Sequence, residues 1–448
     1  MSYSSAIDQL SAMTPELHTQ PGQPRRKFSL KEIGTLLEAL GNPHRRFRSV
    51  LIAGTNGKGS TAATLASILE TAGLRTGLYT SPHLTRPNER IRINGEEISD
   101  EAFASTYFRV HDAGQNLIEA GKLAQLPSFF EHITAMAFVY FADEQIDVAV
   151  LEVGLGGRLD ATNIVDPLLS IITDISLDHT EWLGPTISAI AREKAGILRA
   201  NGTLVTLPQH PEANTTIGEV ATNLDVRGIS AVPYMPALAS EADRDAYTIE
   251  ALGAPVEIAS PLHGAHQHRN IALAIAAAVE LASRRGLAIS PEAIANGVRN
   301  TRWPGRLEVI EAGGVEWILD VAHNPAGAWA LRAALSSLER HHGAGAKPST
   351  LVFSCLRDKP VAELAQILFP LFDRVIFAPI HSARATPMPD LLAAAAATGT
   401  PATTVGSIAE ALALAEGLSS VPRVVVSGSV YLVGEARPLI LERAEGAA

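Results

Sequence analysis

A short glycine-rich segment carries the clearest chemical signal in the sequence. Residues 49–61 read S-V-L-I-A-G-T-N-G-K-G-S-T, an apolar strand-like run followed by three glycines, one lysine and the start of a helical pattern. Gly54, Gly57 and Gly59 allow backbone N–H groups to converge on phosphate oxygens, Lys58 supplies a cation, and the helix N-terminus adds its dipole. The segment therefore predicts a phosphate-binding loop.

This loop is a variant of the standard phosphate-loop pattern G-x-x-x-x-G-K-[ST]. Ile52 occupies the first glycine position, and Gly59 occupies the hydroxyl position, with Ser60 one residue later. The alternative interpretation is an ordinary tight turn between a strand and a helix, with a solvated lysine. The strand before the turn and the helix after it favour phosphate binding.

Eight further sequence blocks follow the loop. They are T-S-P-H-L (80–84), S-F-F-E-H-I-T-A-M-A-F (128–138), E-V-G-L-G-G-R-L-D-A-T-N (152–163), D-H-T-E-W-L-G with E-K-A-G-I (178–197), W-P-G-R-L-E (303–308), D-V-A-H-N-P (320–325), R-D-K-P (357–360) and G-S-V-Y-L-V-G-E (428–435). Read in order with the loop, these blocks resemble the Mur ligase superfamily, and specifically folylpolyglutamate synthase and dihydrofolate synthase. The resemblance extends over about residues 28–435.

The resemblance implies an ATP-dependent ligase that joins L-glutamate to the carboxylate of a folate or of dihydropteroate through an acyl phosphate. It implies two Mg²⁺ ions, the first held by Ser81 and Glu152, the second by His179 and a carbamylated Lys194. The catalytic residues that the resemblance implies are Lys58, Lys194 and His179. The expected ATP-binding residues are Thr55, Asn56, Gly57, Lys58, Gly59, Ser60, Asn270, Arg306 and Asp320. The expected substrate-binding residues are Ser128, Phe129, Phe130, Glu131 and Asp160 for the pterin, and His323 for the amino acid or the nucleotide.

Each metal-ligand assignment has a simpler alternative from residue type alone. Glu152 reads as a surface glutamate at a strand end, Ser81 as a helix cap and His179 as a hydrogen-bonded loop histidine. Lys194 reads as a solvated lysine or as the partner of Glu193. Carbamylation of Lys194 requires an amine that is partly unprotonated, which burial favours.

Other positions also admit a structural interpretation. Asn270 reads as a helix cap and Arg306 as a linker salt bridge. The three histidines His263, His266 and His268 invite a zinc interpretation, which we reject because neither a fourth ligand nor an H-E-x-x-H helix accompanies them. Two departures from the family pattern, His132 after the glutamate of the second block and Cys355 where glycine is frequent, leave fine specificity open.

Alternation of short apolar runs with helical periods predicts an α/β fold. We expect a P-loop-type mononucleotide-binding domain with a mostly parallel sheet over residues 1–302, the ATP-binding Mur-ligase-type central domain. A smaller Rossmann-like α/β domain, the glutamate-ligase domain, is expected over residues 303–448, with the boundary within the helix-breaking seam T-R-W-P-G-R (301–306). Strands are predicted at residues 49–53, 78–80, 147–153, 169–173, 315–321, 349–354, 374–378 and 423–427. Helices are predicted at residues 60–71, 131–143 and 269–285, and an alanine-rich helix and loop at residues 391–409.

Composition limits the function classes. The 36 basic and 47 acidic residues give a net charge of −11, which argues against a broad nucleic-acid or anionic-membrane surface. The single cysteine and the lack of a secretory pattern at the N-terminus favour the cytoplasm. We expect a monomer acting on the small molecules ATP, L-glutamate and dihydropteroate or reduced folates, with no nucleic-acid or membrane partner. The competing hypotheses are a cell-wall Mur ligase and a regulatory ATPase without ligase activity.

Overall fold

Two largely parallel β-sheets organise the chain, and a small hairpin lies beside the first of them. The computed structural model describes residues 2–13, 29–237, 246–342, 350–418 and 423–445. Within these ranges the first sheet lies between residues 48 and 230 and the second between residues 308 and 427. The predicted α/β fold class is confirmed.

The first sheet is parallel except at one edge. In the described chain its strands are β1 (Arg48–Ala53), β2 (Thr76–Tyr79), β3 (Ile91–Ile93), β4 (Glu96–Glu97), β5 (Val148–Glu152), β6 (Leu169–Ile172), β7 (Thr203–Thr206) and β8 (Arg227–Ser230). Their order is β4-β3-β2-β5-β1-β6-β7-β8, with β3 and β4 antiparallel to their neighbours. The strands predicted at residues 49–53, 78–80, 147–153 and 169–173 are β1, β2, β5 and β6.

Helices cover both faces of this sheet, which explains why its central strands are apolar throughout. Leu51 of β1 faces one hydrophobic core, and Val50 and Ile52 face the other. The first core includes residues of α1 (Tyr3–Ala12), α2 (Leu30–Ala39), α4 (Asp100–Glu119), α5 (Phe129–Asp143), α7 (Ile187–Ala195) and α8 (Pro211–Asn223). The second includes residues of α3 (Lys58–Thr71), α9 (Ala265–Arg285), α10 (Pro291–Arg299) and the hairpin of β9 (Ala246–Ala251) and β10 (Ala254–Ala259). The short α6 (Thr180–Leu183) precedes α7.

The second sheet begins with an antiparallel hairpin and continues in parallel. Its described strands are β11 (Glu308–Ala312), β12 (Val315–Asp320), β13 (Thr350–Phe353), β14 (Arg374–Phe377), β15 (Ala402–Thr404) and β16 (Arg423–Ser427), in the order β11-β12-β16-β13-β14-β15. The helices of this unit are α11 (Pro325–His342), α12 (Val361–Leu368), α13 (Met388–Thr398), α14 (Ile408–Leu418) and α15 (Val430–Glu445). The predicted alanine-rich helix corresponds to α13, whereas the loop predicted after it, up to residue 409, contains the edge strand β15, which pairs with β14. A three-residue, partly exposed edge strand leaves little periodic signal.

Both sheets open a crevice at the carboxyl ends of their strands, because each has a crossover that skips a strand. The connection from β1 to β2 passes over β5, and the connection from β12 to β13 passes over β16. Contact between the units includes Gly434 of α15, whose Cα lies so close to the backbone carbonyl of Leu84 that a side chain would overlap it. The domain boundary after Arg302 stays a prediction. Among the described helices, none has the length and apolar character needed to cross a bilayer.

Close packing of α10 on α3 generates a test of the fold. A side chain at Gly297 would overlap the backbone of Ile68, and the Gly297 carbonyl accepts a hydrogen bond from the Ser67 hydroxyl at 2.7 Å. We expect Gly297→Ala to lower the free energy of unfolding by about 1–3 kcal/mol, because α10 must move away from α3. Gly218→Ala on the exposed face of α8, where nothing lies within 4 Å, is the control and is expected to raise stability slightly. Equal urea-unfolding midpoints for the two variants would contradict the packing argument.

Candidate active site

The predicted phosphate loop is held against the carboxyl end of β6. Its backbone requires glycine, with φ of +155° at Gly54 and +86° at Gly57. The Thr173 hydroxyl donates to the Asn56 carbonyl at 2.7 Å, and the Thr55 N–H donates to the Asp174 carbonyl at 2.8 Å. The six loop residues expected to bind ATP, residues 55–60, all line one cavity of about 570 Å³.

Two lysines converge on one carbonyl of this loop. Lys58 Nζ donates to the carbonyl oxygens of Gly54 at 3.1 Å and Thr55 at 3.2 Å. Lys194 Nζ, reaching from α7, donates to the same Gly54 oxygen at 2.7 Å. Burial lowers the pKa of Lys194 to about 7, and the positive charge of Lys58 adds to the effect. A large fraction of the Lys194 amine is therefore neutral near physiological pH.

The two residues expected to hold the first magnesium ion lie side by side. Glu152 ends β5 and is 4% exposed, and its Oε2 accepts the Ser81 N–H at 3.1 Å. Burial raises the pKa of Glu152, an effect opposed by Lys58 and the Ser81 N–H. Both residues line the same cavity as the phosphate loop. This pair therefore presents a carboxylate and a hydroxyl, the hard oxygen donors that magnesium prefers.

His179 also lines the cavity, at the end of the loop that follows β6. Its backbone is left-handed, with φ of +49°, immediately before α6. Burial lowers its pKa to about 4, so the imidazole is neutral at pH 7 and able to donate a lone pair to a metal ion.

The remaining nucleotide candidates close the cavity from α9 and from the second unit. Asn270 of α9 packs against Gly57. Arg306 ends the seam, and Asp320 and His323 lie beyond it; all three line the cavity. Both carboxylate oxygens of Asp320 accept backbone N–H groups, that of residue 307 at 3.0 Å and that of residue 322 at 2.9 Å. Burial lowers the pKa of Arg306, whereas Asp320 and Glu152 raise it. The structure thus brings together every predicted nucleotide residue.

A second cavity of about 340 Å³ adjoins the first in the cleft between the units. Ser81, Glu152, His179, Arg306 and His323 line both cavities. The second cavity is also lined by Arg90, Phe130, Trp303, Lys359 and Tyr431. An anionic acceptor in the second cavity can therefore meet a nucleotide bound in the first.

Only one residue of the predicted pterin segment, Phe130, lines this second cavity. Ser128 and Glu131 form a capping box at the start of α5: the Ser128 hydroxyl donates to Glu131 Oε2 at 2.7 Å and accepts the Glu131 N–H at 3.3 Å. Arg90 stacks over the Phe129 ring at 5.2 Å. Asp160 accepts the Leu155 N–H at 2.9 Å and caps a short helical turn. Pterin contacts by these residues stay a prediction.

Three histidines that have none of these roles lie in different surroundings. His266 lines the nucleotide cavity, and His268 packs edge-on against Tyr247 at 5.3 Å. His132 is fully buried in α5, 4.8 Å from the Tyr107 ring, and burial lowers its pKa to about 3.

Three functional candidates escaped the sequence reasoning although they stand in the quoted blocks. They are Asp178, Asn324 and Lys359; the last two each donate a hydrogen bond to the Asp178 carboxylate across the cleft. The sequence places Asp178 next to His179, Asn324 next to His323 and Lys359 within R-D-K-P, but it does not reveal that Asn324 and Lys359 both contact Asp178.

Two family models match the chain. The Mur ligase middle domain matches residues 52–278, and the Mur ligase glutamate ligase domain matches residues 305–430. A phosphate loop facing a second α/β unit across a shared cleft agrees with both matches. The chain is therefore an ATP-dependent ligase of the Mur type.

Comparison with known proteins identifies the family within this class of ligases. Folylpolyglutamate synthase of Lacticaseibacillus casei is 35% identical over 92% of this chain and 94% of its own. The dihydrofolate synthase/folylpolyglutamate synthase of Mycobacterium tuberculosis is 36% identical over 92% and 90%. The solved M. tuberculosis folylpolyglutamate synthase complexed with ADP has a TM-score of 0.85 at 33% identity, covering 98% of each chain. The chain belongs to the folylpolyglutamate synthase and dihydrofolate synthase family.

The tight contact at the phosphate loop predicts the effect of one added methyl group. Gly57 and Gly73 have similar left-handed backbones, with φ of +86° and +83°, but only Gly57 faces a neighbour, Asn270. We expect both alanine variants to lose about 1–2 kcal/mol of stability from backbone strain. Gly57→Ala alone is expected to weaken ATP binding, by about tenfold or more, because Asn270 and the loop must separate. Equal ATP affinities measured by calorimetry for the two variants would contradict this geometry.

Proposed function

We propose that this chain joins L-glutamate to the carboxylate of dihydropteroate or of a folate in an ATP-driven reaction. The observation that supports the proposal is the shared wall of the two cavities, where Glu152, His179 and Arg306 face both. The names of the relatives supply the substrate class. We also propose that the protein is a monomer and that it is cytoplasmic; its single cysteine, Cys355, is free, which agrees with a reducing compartment.

The proposed reaction has two displacement steps. An oxygen of the acceptor carboxylate attacks the γ-phosphorus of ATP, the bond to the β–γ bridging oxygen breaks, and ADP leaves. The glutamate amine then attacks the carbonyl carbon of the acyl phosphate, loses a proton, and inorganic phosphate leaves as the amide forms. Lys58 and Arg306 would stabilise the negative charge that both steps develop, mainly by their fixed positions.

Magnesium fits the first pair of candidate ligands. Glu152 is a buried carboxylate whose charge a divalent cation would compensate, and Ser81 adds a hydroxyl oxygen. The described residues include no group of three or more His, Cys, Asp or Glu side chains able to hold a metal ion. Phosphate oxygens and water would therefore complete the coordination, as is usual for magnesium. When bound, the ion neutralises charge on the transferring phosphoryl group.

A second magnesium ion is proposed at His179 and a carbamylated Lys194. A carbamate forms when a neutral amine attacks carbon dioxide and loses a proton, which converts a cation into an anionic oxygen donor. The lowered pKa of Lys194 supplies the neutral amine, and both side chains line the nucleotide cavity. Beside the cation Lys58, an anionic carbamate would also be better stabilised than a second ammonium group.

Carbamylation of Lys194 should rise with pH across neutrality. With a pKa of about 7, roughly nine in ten amines are neutral at pH 8, against well under one in a hundred for an ordinary lysine. We expect a ¹³C carbamate signal in protein incubated with ¹³C-bicarbonate, stronger at pH 8 than at pH 6 and lost in Lys194→Met. The exposed Lys122→Met is the matched control. A signal that persists in Lys194→Met, or that is missing from the unaltered protein at pH 8, would contradict carbamylation.

The proposed reaction is tested with purified protein, ATP, Mg²⁺ and L-glutamate, with dihydropteroate and a reduced folate as parallel acceptors. We expect phosphate release only when glutamate and a pterin acid are both present. Lys58→Ala should lose turnover while remaining folded, and Lys122→Ala should retain it, since Lys122 lies on the surface.

Two outcomes would overturn the assignment. Phosphate release that is independent of any acceptor would indicate an ATPase, and turnover only with a UDP-sugar peptide would indicate a cell-wall ligase. The ratio of rates with the two pterin acceptors separates dihydrofolate synthase from folylpolyglutamate synthase activity.

A further inference from the structure

Asp178 extends from the first unit into a set of donors supplied by the second. It lies in the loop between β6 and α6, and its side chain is 10% exposed. Its Oδ1 accepts from Lys359 Nζ at 2.8 Å, and its Oδ2 accepts from Asn324 Nδ2 at 3.0 Å. Lys359 is itself only 6% exposed. The carboxylate thus joins two segments of the second unit to one loop of the first.

Asn324 links this contact to the phosphate loop. Its Oδ1 accepts the Gly327 N–H at 2.8 Å at the start of α11, which fixes the orientation of the amide. Its Nδ2 donates both to Asp178 and, at 3.0 Å, to Asn56 Oδ1. One amide group therefore contacts the nucleotide loop and the carboxylate at the same time.

The contact also bears on His179. The His179 N–H donates to Asp178 Oδ1 at 2.9 Å, and this bond holds the left-handed backbone that turns the imidazole toward the cavity. Asp178 therefore connects the position of the second unit to the orientation of a predicted metal ligand.

Charge makes the contact dependent on closure. The groups that face Asp178 are Lys359, His179 with Nε2 at 4.0 Å and His323 with Nε2 at 3.9 Å. Lys359 is the closest of these groups to the carboxylate, at 2.8 Å, and it supplies a positive charge from the second unit. A buried carboxylate that loses its cation while remaining dry is strongly disfavoured, whereas in an open cleft water solvates both groups.

We propose that Asp178 is a positioning residue that forms a latch with Lys359 and Asn324 when the cleft closes, and thereby sets His179 for the reaction. The proposal rests on the proposed function in that closure assembles the two cavities around nucleotide and acceptor. A competing role for Lys359 is direct binding of a substrate carboxylate, since it lines the acceptor cleft.

The latch is tested first by distance, without turnover. Spin labels at Thr215→Cys on α8 and Ala362→Cys on α12 report the separation of the units, because both positions are exposed and the native Cys355 is buried. We expect Asp178→Asn and Lys359→Met each to broaden the distance distribution toward longer values, and the double variant to broaden it no further. Asp358→Asn is the control, because Asp358 pairs with Arg384 inside the second unit at 2.8 Å.

Kinetics separate the latch from substrate binding. We expect each single variant to lower kcat by ~10–100-fold, with smaller changes in KM, and the double variant to lose no more than either single one. Lys359→Arg should restore part of kcat, because it keeps the charge.

Three results would overturn the proposal: unchanged distances in both single variants, losses that multiply in the double variant, or a rise in KM for one substrate confined to Lys359→Met. The distance measurement requires no activity. An inactive unaltered protein would therefore contradict the proposed function while the latch was still tested.

Discussion

The carbonyl oxygen of Gly54 accepts hydrogen bonds from two lysines, and the site depends on this shared contact. It requires a loop that presents its carbonyl inward, which glycine at position 54 permits because Thr173 leaves no room for a side chain. It also requires α7 to bring Lys194 under the loop. Burial disfavours the charged form of Lys194, and repulsion from the ammonium group of Lys58 on the same oxygen adds to that cost. The same geometry that anchors the loop therefore makes Lys194 chemically distinct from a surface lysine.

A cleft between two sheets lets an acidic protein handle anions. The net charge of −11 describes the whole chain, but cations line the cleft: Lys58 lines the first cavity, Lys359 the second, and Arg306 both. Their partial burial strengthens their interaction with a bound anion, because less water screens it. Two carboxylates of the first unit offset part of this positive charge. Glu152 lies beside the phosphate loop, and Asp178 pairs with Lys359 across the cleft. For anion binding, the position of a few cations therefore matters more than the net charge of the chain.

Local patterns predicted the fold better than the site. The phosphate loop and the strands around it follow from glycine spacing and apolar runs, which reflect backbone constraints within a few residues. The S-x-x-E spacing of Ser128 and Glu131 is an equally local signal and is typical of a capping box, which the structure contains. The family resemblance instead assigned these residues to substrate binding, a role that stays a prediction. The contact of Asp178 with Lys359 joins residues 181 positions apart, so no spacing in the sequence encodes it. β15 was missed because its pairing, rather than its composition, makes it a strand.

Backbone meets backbone where α15 rests on the carbonyl of Leu84. A contact between two side chains can adjust by rotation of either one, but a contact between two backbone groups can adjust only if the backbone itself moves. Even the methyl group of an alanine at position 434 would therefore force α15 and the segment of Leu84 apart. The present spacing of the two units at this contact therefore depends on a residue that lines neither of the two cavities of the candidate site.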